Sequence, residues 1–428
     1  MKAHRLIHSS DWHLGVSTGS VSRLEEQRRF LEWLCDTLRS DAADTLVVAG
    51  DIFDAMQPSA EAQALYYRFL AEVGHSGVAQ VIVIGGNHDS PARLDAPREL
   101  LHALSVHVVG GYTDRERMLI PLRCRDSGEV TAVCLAVPYM HEYRLGVRTT
   151  MEDPSVSRQR FSEAFEGLYT ELVNRAEAAF PGVPVIATGH LTLGTAFDRD
   201  DFPQEIHRVG TIEAMSTHII DARIAYTALG HIHRAYPVRK EAPVWYSGTP
   251  VPYSLKESQT QRVVLSVAVG DTVTVKPCPV PLSRTLVHIR GTREEVITRL
   301  KTLTWAEALP PLVHAFVETE HVEVGLANAL HEALAEHPEG ARPALVELKQ
   351  GRPLSAIQDA SYETTTHDLA QLTPRQVFGM MCVRAGKSDA AQARLMEAFD
   401  QIRQADEVAL ASLIPAPMGT RPEAEGGG

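Results

Sequence analysis

Short apolar runs in this chain stop at residues that carry chemistry. Leu6-Ile7-His8 runs into Ser9-Ser10-Asp11-Trp12-His13, and Leu46-Val47-Val48-Ala49 into Gly50-Asp51. Val81-Ile82-Val83-Ile84 stops at Gly85-Gly86, followed by Asn87-His88-Asp89. Val185–Thr188 leads to Gly189-His190, and Ala225–Leu229 to Gly230-His231-Ile232-His233. Runs this short and this apolar predict strands buried on both faces. Helical spacing lies between them, as Phe30, Leu31, Leu34 and Leu38, then Leu65, Phe69, Leu70 and Val73. The class that follows is α/β, a mixed sheet between layers of helices. In such sheets ligands bind outside the carboxyl ends of the strands. Asp11, His13, Asp51, Asn87, His190, His231 and His233 are therefore expected along one edge, with His88 beside them.

These residue types fit one another. A pair of divalent cations about 3.5–4 Å apart needs a bridging carboxylate and several nitrogen or oxygen ligands each. Imidazole mixed with carboxylate or amide suits manganese, iron or zinc better than calcium. Glycine before a ligand lets the chain turn sharply.

More strands are expected at Ala132–Val137 and Val244–Tyr246, and a hairpin at Val263–Val269 and Thr272–Val275 around Gly270-Asp271. From Pro281 the pattern becomes βαβαβ, with strands near 285–290, 311–319 and 344–349 and helices near 292–302 and 326–335. That is enough for a small domain. Thr373-Pro374-Arg375-Gln376 reads as a capping box opening a helical element, and a later helix carries Leu395, Phe399 and Ile402 on one face. A short element of this kind must dock somewhere. Residues 414–428, rich in Pro and Gly, read as a disordered tail.

Composition narrows the class. With 44% hydrophobic and 22% charged residues, a disordered, collagen-like or disulfide-scaffold protein is excluded. No apolar run reaches the roughly 18 residues of a membrane span, and no secretory signal is expected at the start. Cys35, Cys124, Cys134, Cys278 and Cys382 form no C-x-x-C pair, which fits a reducing cytoplasm. A net charge of −13 argues against coating nucleic acid by bulk charge, though not against a local basic groove or a partner that supplies one.

Asp11-x-His13, Gly50-Asp51-Ile52-Phe53-Asp54, Gly86-Asn87-His88-Asp89, Gly189-His190 and Gly230-His231-x-His233 together resemble, in order, the five motifs of the calcineurin-like metallophosphoesterases. Five in order, each after an expected strand, is a specific signal. Within that superfamily, His8–Gly15, Val48–Asp54, Gly86–Ser90, Ala228–His233 and Tyr246–Pro250 are most similar to the SbcD family, nuclease subunits of bacterial SbcCD complexes. The likeness is dense over 1–260, architectural over 281–370 and weak beyond.

The resemblance implies a metallophosphoesterase β-sandwich flanked by helices at 1–280. It implies a small α/β capping, DNA-binding domain at 281–370 and a helical element at 371–413 that docks on an ABC-type ATPase, SbcC, through its coiled coil. By motif position one metal is held by Asp11, His13, Asp51 and His233, and the second by Asp51, Asn87, His190 and His231. Manganese is implied, with iron, zinc or magnesium as alternatives. His88 is expected to give a proton to the leaving alkoxide, with Asp89 orienting its ring. Asp54 stands where a histidine is common in archaeal and eukaryotic relatives, and no catalytic role is assigned to it.

The implied activity is exonuclease action on duplex DNA ends and endonuclease action on single strands or hairpins, in DNA repair, recombination and replication. The implied assembly is a cytoplasmic, nucleoid-associated heterotetramer with a nuclease dimer formed by helices near 60–73 and 93–104. No G-x-x-x-x-G-K-[ST] loop is present, so ATP would be the partner's. The alternatives are a small-molecule phosphodiesterase or protein phosphatase on the same core, and a scaffold that keeps the fold without the metals. Arg93, Arg98, Arg208, Arg234, Arg239 and Lys256 are candidate phosphate contacts. Trp12 is a candidate for stacking on a base, and Tyr246 and Tyr253 for flanking the substrate, with packing the competing role for each.

Overall fold

The structure, a computed structural model, describes residues 3–145, 154–193, 215–239, 243–321, 323–338 and 340–352, with 378, 382 and 391–399. Met1–Pro353 forms one compact unit and Leu354–Gly428 another.

Two six-stranded mixed sheets face each other in the first unit. One has the order Val273–Pro279, Val263–Val269, His4–Ser9, Thr45–Ala49, Gln80–Ile84, Val106–Val109. The other runs Tyr236–Arg239, Val244–Tyr246, Ile224–Gly230, Val185–His190, Val130–Leu135, Leu119–Arg123. The residue pattern alone pointed to a mixed sheet between helices; the two sheets form the sandwich that the family resemblance implied. Apolar runs buried on both faces look the same whether a helix or a second sheet covers them.

Alternation along the strands sorts the two cores. Leu6, Val47, Ala49, Ile82 and Ile84 share one core with Val133, Ile186, Ala187, Tyr226 and Ala228 of the second sheet. Ile7, Leu46, Val48, Val81 and Val83 face outward, onto Phe30, Leu34 and Leu38 of helix Leu24–Ser40 and Phe69 and Leu70 of helix Ala60–Val73. Helix Pro154–Ala179 adds Phe161, Phe165, Leu168 and Leu172 to the first core. That helix, the edge strands Val106–Val109 and Leu119–Arg123, and Tyr236–Arg239 were not expected from the sequence. The expected helix near 93–104 is two short ones, Pro91–Asp95 and Arg98–His102.

The hairpin forms with Val269 opposite Val273. Strands Leu286–Gly291, Leu312–Glu318 and Ala344–Gly351 make a separate parallel sheet in sequence order. Its core is Ile289, Val296, Leu300, Val313, Leu330 and Leu334, supplied with helices Arg293–Lys301 and Leu326–Ala335. Thr292 and Glu295 close a capping box on the first of these helices. Arg23 and Glu26 pair inside the protein, and Arg284 Nε lies 3.1 Å from Glu26 Oε2, close enough for an ion pair though not aligned as a hydrogen bond. Arg284 also donates to Pro310 O at 2.9 Å, so this buried charge cluster ties the small sheet's layer to helix Leu24–Ser40.

In the second unit residues 391–399 are helical, Phe378 and Phe399 stack at 4.6 Å, Cys382 is buried and Leu395 is exposed. The expected capping box at 373–376, Ile402 and the tail at 414–428 lie outside the described residues, as does Arg208.

Candidate metal centre

The parallel strands of both sheets end at one rim. His4–Ser9, Thr45–Ala49 and Gln80–Ile84 deliver Asp11, His13, Asp51 and Asn87, and the second sheet delivers His190, His231 and His233. The loops are sewn together by Asp11 N–H to Gly50 O and His13 N–H to Asp51 O, both 3.0 Å. Positive φ angles gather here. Asp11 (53°), His13 (45°), Asp51 (51°) and His231 (94°) account for four of the six non-glycine residues in that region among those described. Such conformations cost about 1–3 kcal/mol each and persist where surrounding contacts impose them.

Three clusters of ligand-type atoms result, each within 4.8 Å: Asp11, His13 and His233; Asp51, His190 and His231; and His13, Asp51 and His88. His13 Nε2 faces His233 Nε2 at 3.1 Å. Asn87 Oδ1 lies 3.0 Å from His190 Nε2 and 2.9 Å from His231 Nδ1. Asp51 joins the two groups. Its Oδ1 accepts from His88 N–H at 2.9 Å, while Oδ2 lies 3.2 Å from His190 Nε2 and 3.7 Å from His13 Nε2. All seven residues expected as ligands thus meet in two lobes that share one carboxylate.

Contacts behind the rings set which nitrogen faces inward. His190 Nδ1 donates to Ala49 O at 2.8 Å, and His233 Nδ1 donates to Glu257 Oε1 at 2.9 Å. Each ring then presents Nε2 to the centre. Asp11 is held by Ser10 Oγ at 2.5 Å and by His231 N–H at 2.8 Å.

Burial would lower the His13 and His190 pKa values, but the facing carboxylates raise both to about 9. Burial would raise that of Asp51, yet His190, His13 and His88 hold it far below the usual carboxylate range. His231 falls to about 3, first through burial and then through its neighbouring imidazoles. Imidazole nitrogens and carboxylate oxygens, groups that can ligate a metal once deprotonated, converge in these clusters. That donor chemistry fits cations.

Residues 4–235 match the calcineurin-like phosphoesterase family. The chain is 32% identical over 389 residues to SbcD of the nuclease SbcCD from Rhodobacter capsulatus, covering 87% of this chain and 93% of that protein. It is 30% identical over 314 residues to SbcD of the nuclease SbcCD from Escherichia coli K12, covering 72% and 76%. This chain belongs to the SbcD family of calcineurin-like phosphoesterases. Family membership and the clustered donors together mark the centre as one for divalent metal ions.

One assignment needs correcting. Asp89 does not reach the His88 ring. Its carboxylate accepts from the N–H groups of Gly86 (2.8 Å), Ile52 (3.1 Å) and Phe53 (3.0 Å), clamping the turns on which Asn87 and Asp51 sit. Adjacent side chains diverge, so adjacency to His88 misled. The His88 ring is held by Asp54, whose backbone oxygen takes His88 Nδ1–H at 2.8 Å. The Asp54 carboxylate lies 3.5 Å from His13 Nδ1.

Trp12 is buried against Phe30 and Phe69, and donates to Ser9 Oγ at 2.9 Å. Tyr246 is buried and bonded to Leu191 O. Both are packing residues. Tyr253 lies 6.0 Å from the His13 ring and donates to Trp12 O. Arg93, Arg234 and Lys256 are exposed, Arg98 pairs with Glu99 and Arg239 is half-buried. Sequence reasoning missed Glu257, which stands far along the chain from His233 with no motif around it.

The glycines act partly as expected. Gly50 has φ +89°, and a Cβ there would strike the His190 ring. Gly86 has ordinary φ, and its role is close approach, since a Cβ would overlap the Asp51 carboxylate and amide. Gly86→Ala should cost roughly 2 kcal/mol or more in thermal unfolding and weaken metal uptake. Gly74→Ala, with nothing within 4 Å, should stay within about 0.5 kcal/mol. Equal melting points for the two variants would contradict this packing account.

Proposed function

We propose that this chain is the nuclease subunit of an SbcCD-type complex, a metal-dependent deoxyribonuclease that hydrolyses phosphodiesters with two divalent ions. The observation that carries the reading is the pair of ligand lobes sharing Asp51, in a chain of this family. One ion would be held by Asp11, His13, Asp51 and His233, and the other by Asp51, Asn87, His190 and His231. Manganese is the proposed ion. When bound, the cations polarise the phosphate and lower the pKa of water.

The remaining work falls to side chains. Asp51 would be the carboxylate shared by both ions, with His88 N–H fixing its rotation. His190 and His233 keep Nε2 turned inward through Ala49 O and Glu257. His88, tethered at Nδ1 by Asp54 O, carries a proton on Nε2 to the leaving alkoxide.

The domain reading assigns 1–280 to nuclease action and 281–370 to a DNA-binding cap. Residues 371–413 are assigned to docking on the SbcC-type ATPase, with a tail beyond. The sheet and core of 286–351 support the second assignment, and exposed Leu395 the third. A nuclease dimer through helices Ala60–Val73 and Arg98–His102 is supported by exposed Tyr67, Leu100 and Leu104. Duplex ends and hairpins are the proposed substrates, and the nucleoid the proposed place of work.

The competing reading is a small-molecule phosphodiesterase on the same core. Manganese-dependent cleavage of end-labelled hairpin DNA, compared with turnover of a cyclic nucleotide, separates the two. Hairpin cleavage faster by about two orders of magnitude in kcat/KM, roughly 2.7 kcal/mol, is expected. A preference for the cyclic nucleotide would overturn the proposal.

A further inference from the structure

We infer that Glu257 is a positioning residue for one of the two ion sites alone, acting through a strap, residues 247–257, that fixes His13 and His233 against each other. The inference rests on the two-ion reading above.

Glu257 Oε1 takes the Nδ1 proton of His233 at 2.9 Å, so the opposite nitrogen of that ring faces His13. The carboxylate is itself pinned. Its Oε2 accepts from Tyr253 N–H at 2.6 Å and Ser254 N–H at 3.3 Å, and cannot rotate without abandoning them. The strap also grips the His233 backbone, with Thr249 N–H at 3.2 Å from His233 O. Arg262, just beyond the strap, donates to the same oxygen at 2.8 Å.

The strap reaches the other ring as well. Tyr253 OH donates to Trp12 O at 2.5 Å, one residue before His13. Gln27 Nε2 lies 3.0 Å from that hydroxyl and 2.8 Å from His13 O. Ser247 Oγ lies 2.7 Å from Ser10 Oγ, which holds Asp11. All three unshared ligands of the first ion are thus backed by the strap. Among the described hydrogen bonds, none joins the strap to Asn87, His190 or His231. Outer partners of ligating histidines set ring orientation and basicity, and their loss costs about 10–100-fold in metal affinity. The effect should therefore be lopsided, which a general folding role for Glu257 would not produce.

The test is manganese titration of the full chain by calorimetry and electron paramagnetic resonance, with the metal-free melting point measured in chelator. The unaltered chain should bind two ions. Glu257→Gln keeps the shape but cannot accept at both ends, since its amide nitrogen must face a donor. It should weaken one ion about 10–100-fold and leave the other within twofold. Glu257→Asp, too short to span His233 and Tyr253, should do the same. Gln259→Ala, exposed on the same turn, should change neither. Two ions bound within twofold of normal in both Glu257 variants would overturn the inference. So would an equal fall at both sites together with the melting point. Fewer than two ions on the unaltered chain would overturn the two-ion reading, and this inference with it.

Discussion

Asp51→Asn is expected to lower hairpin cleavage by about 10³-fold or more, a loss of roughly 4 kcal/mol in transition-state stabilisation. Asp51 Oδ1 is committed to the His88 amide, and Oδ2 is the oxygen that both lobes approach. An asparagine whose oxygen keeps the amide contact turns its NH₂ towards the centre. That group offers N–H where two cations need a shared anion. Without the shared charge, two divalent ions a few ångströms apart repel strongly in a site this buried. Manganese stoichiometry should fall from two to one or none in the same variant. Unchanged stoichiometry with unchanged cleavage would remove Asp51 from the account.

His88→Ala is expected to keep both ions and lose about 10²–10⁴-fold in turnover on DNA. The ring is tethered at Nδ1 by Asp54 O, and its centroid lies 4.8 Å from that of His13. A proton on Nε2 is useful only where the leaving group needs one. The deficit should therefore shrink to about tenfold or less on a p-nitrophenyl phosphodiester, whose leaving anion is stable unprotonated. An equal deficit on both substrates would contradict proton donation. Loss of an ion would instead make His88 a ligand, a role its closeness to His13 and Asp51 allows geometrically.

The sequence carried the centre because its chemistry sits at the ends of strands. Apolar runs buried on both faces are legible one by one, and the residue after each run is fixed to one rim whatever covers the strand. The edge strand Leu119–Arg123 left no such mark, since Pro121 and Arg123 interrupt its apolar pattern. The pairing of two sheets was not legible either, because Leu6 and Ile7 look alike in sequence while facing different cores. At the centre, the ligand candidates were readable from motifs, and their supports were not. The partners of Asp89, the Gly86, Ile52 and Phe53 amides, were not legible because neighbours in sequence need not be neighbours in space. Glu257 and the Asp54 carbonyl act on rings far away along the chain, through contacts that only the fold creates.

The most direct measurement is anomalous scattering from crystals grown with manganese. Two peaks about 3.5–4 Å apart, flanking Asp51, are expected. One peak should touch Asp11, His13 and His233, and the other Asn87, His190 and His231. No peak at this rim, or peaks bound by other residues, would contradict the two-ion centre and the nuclease chemistry built on it.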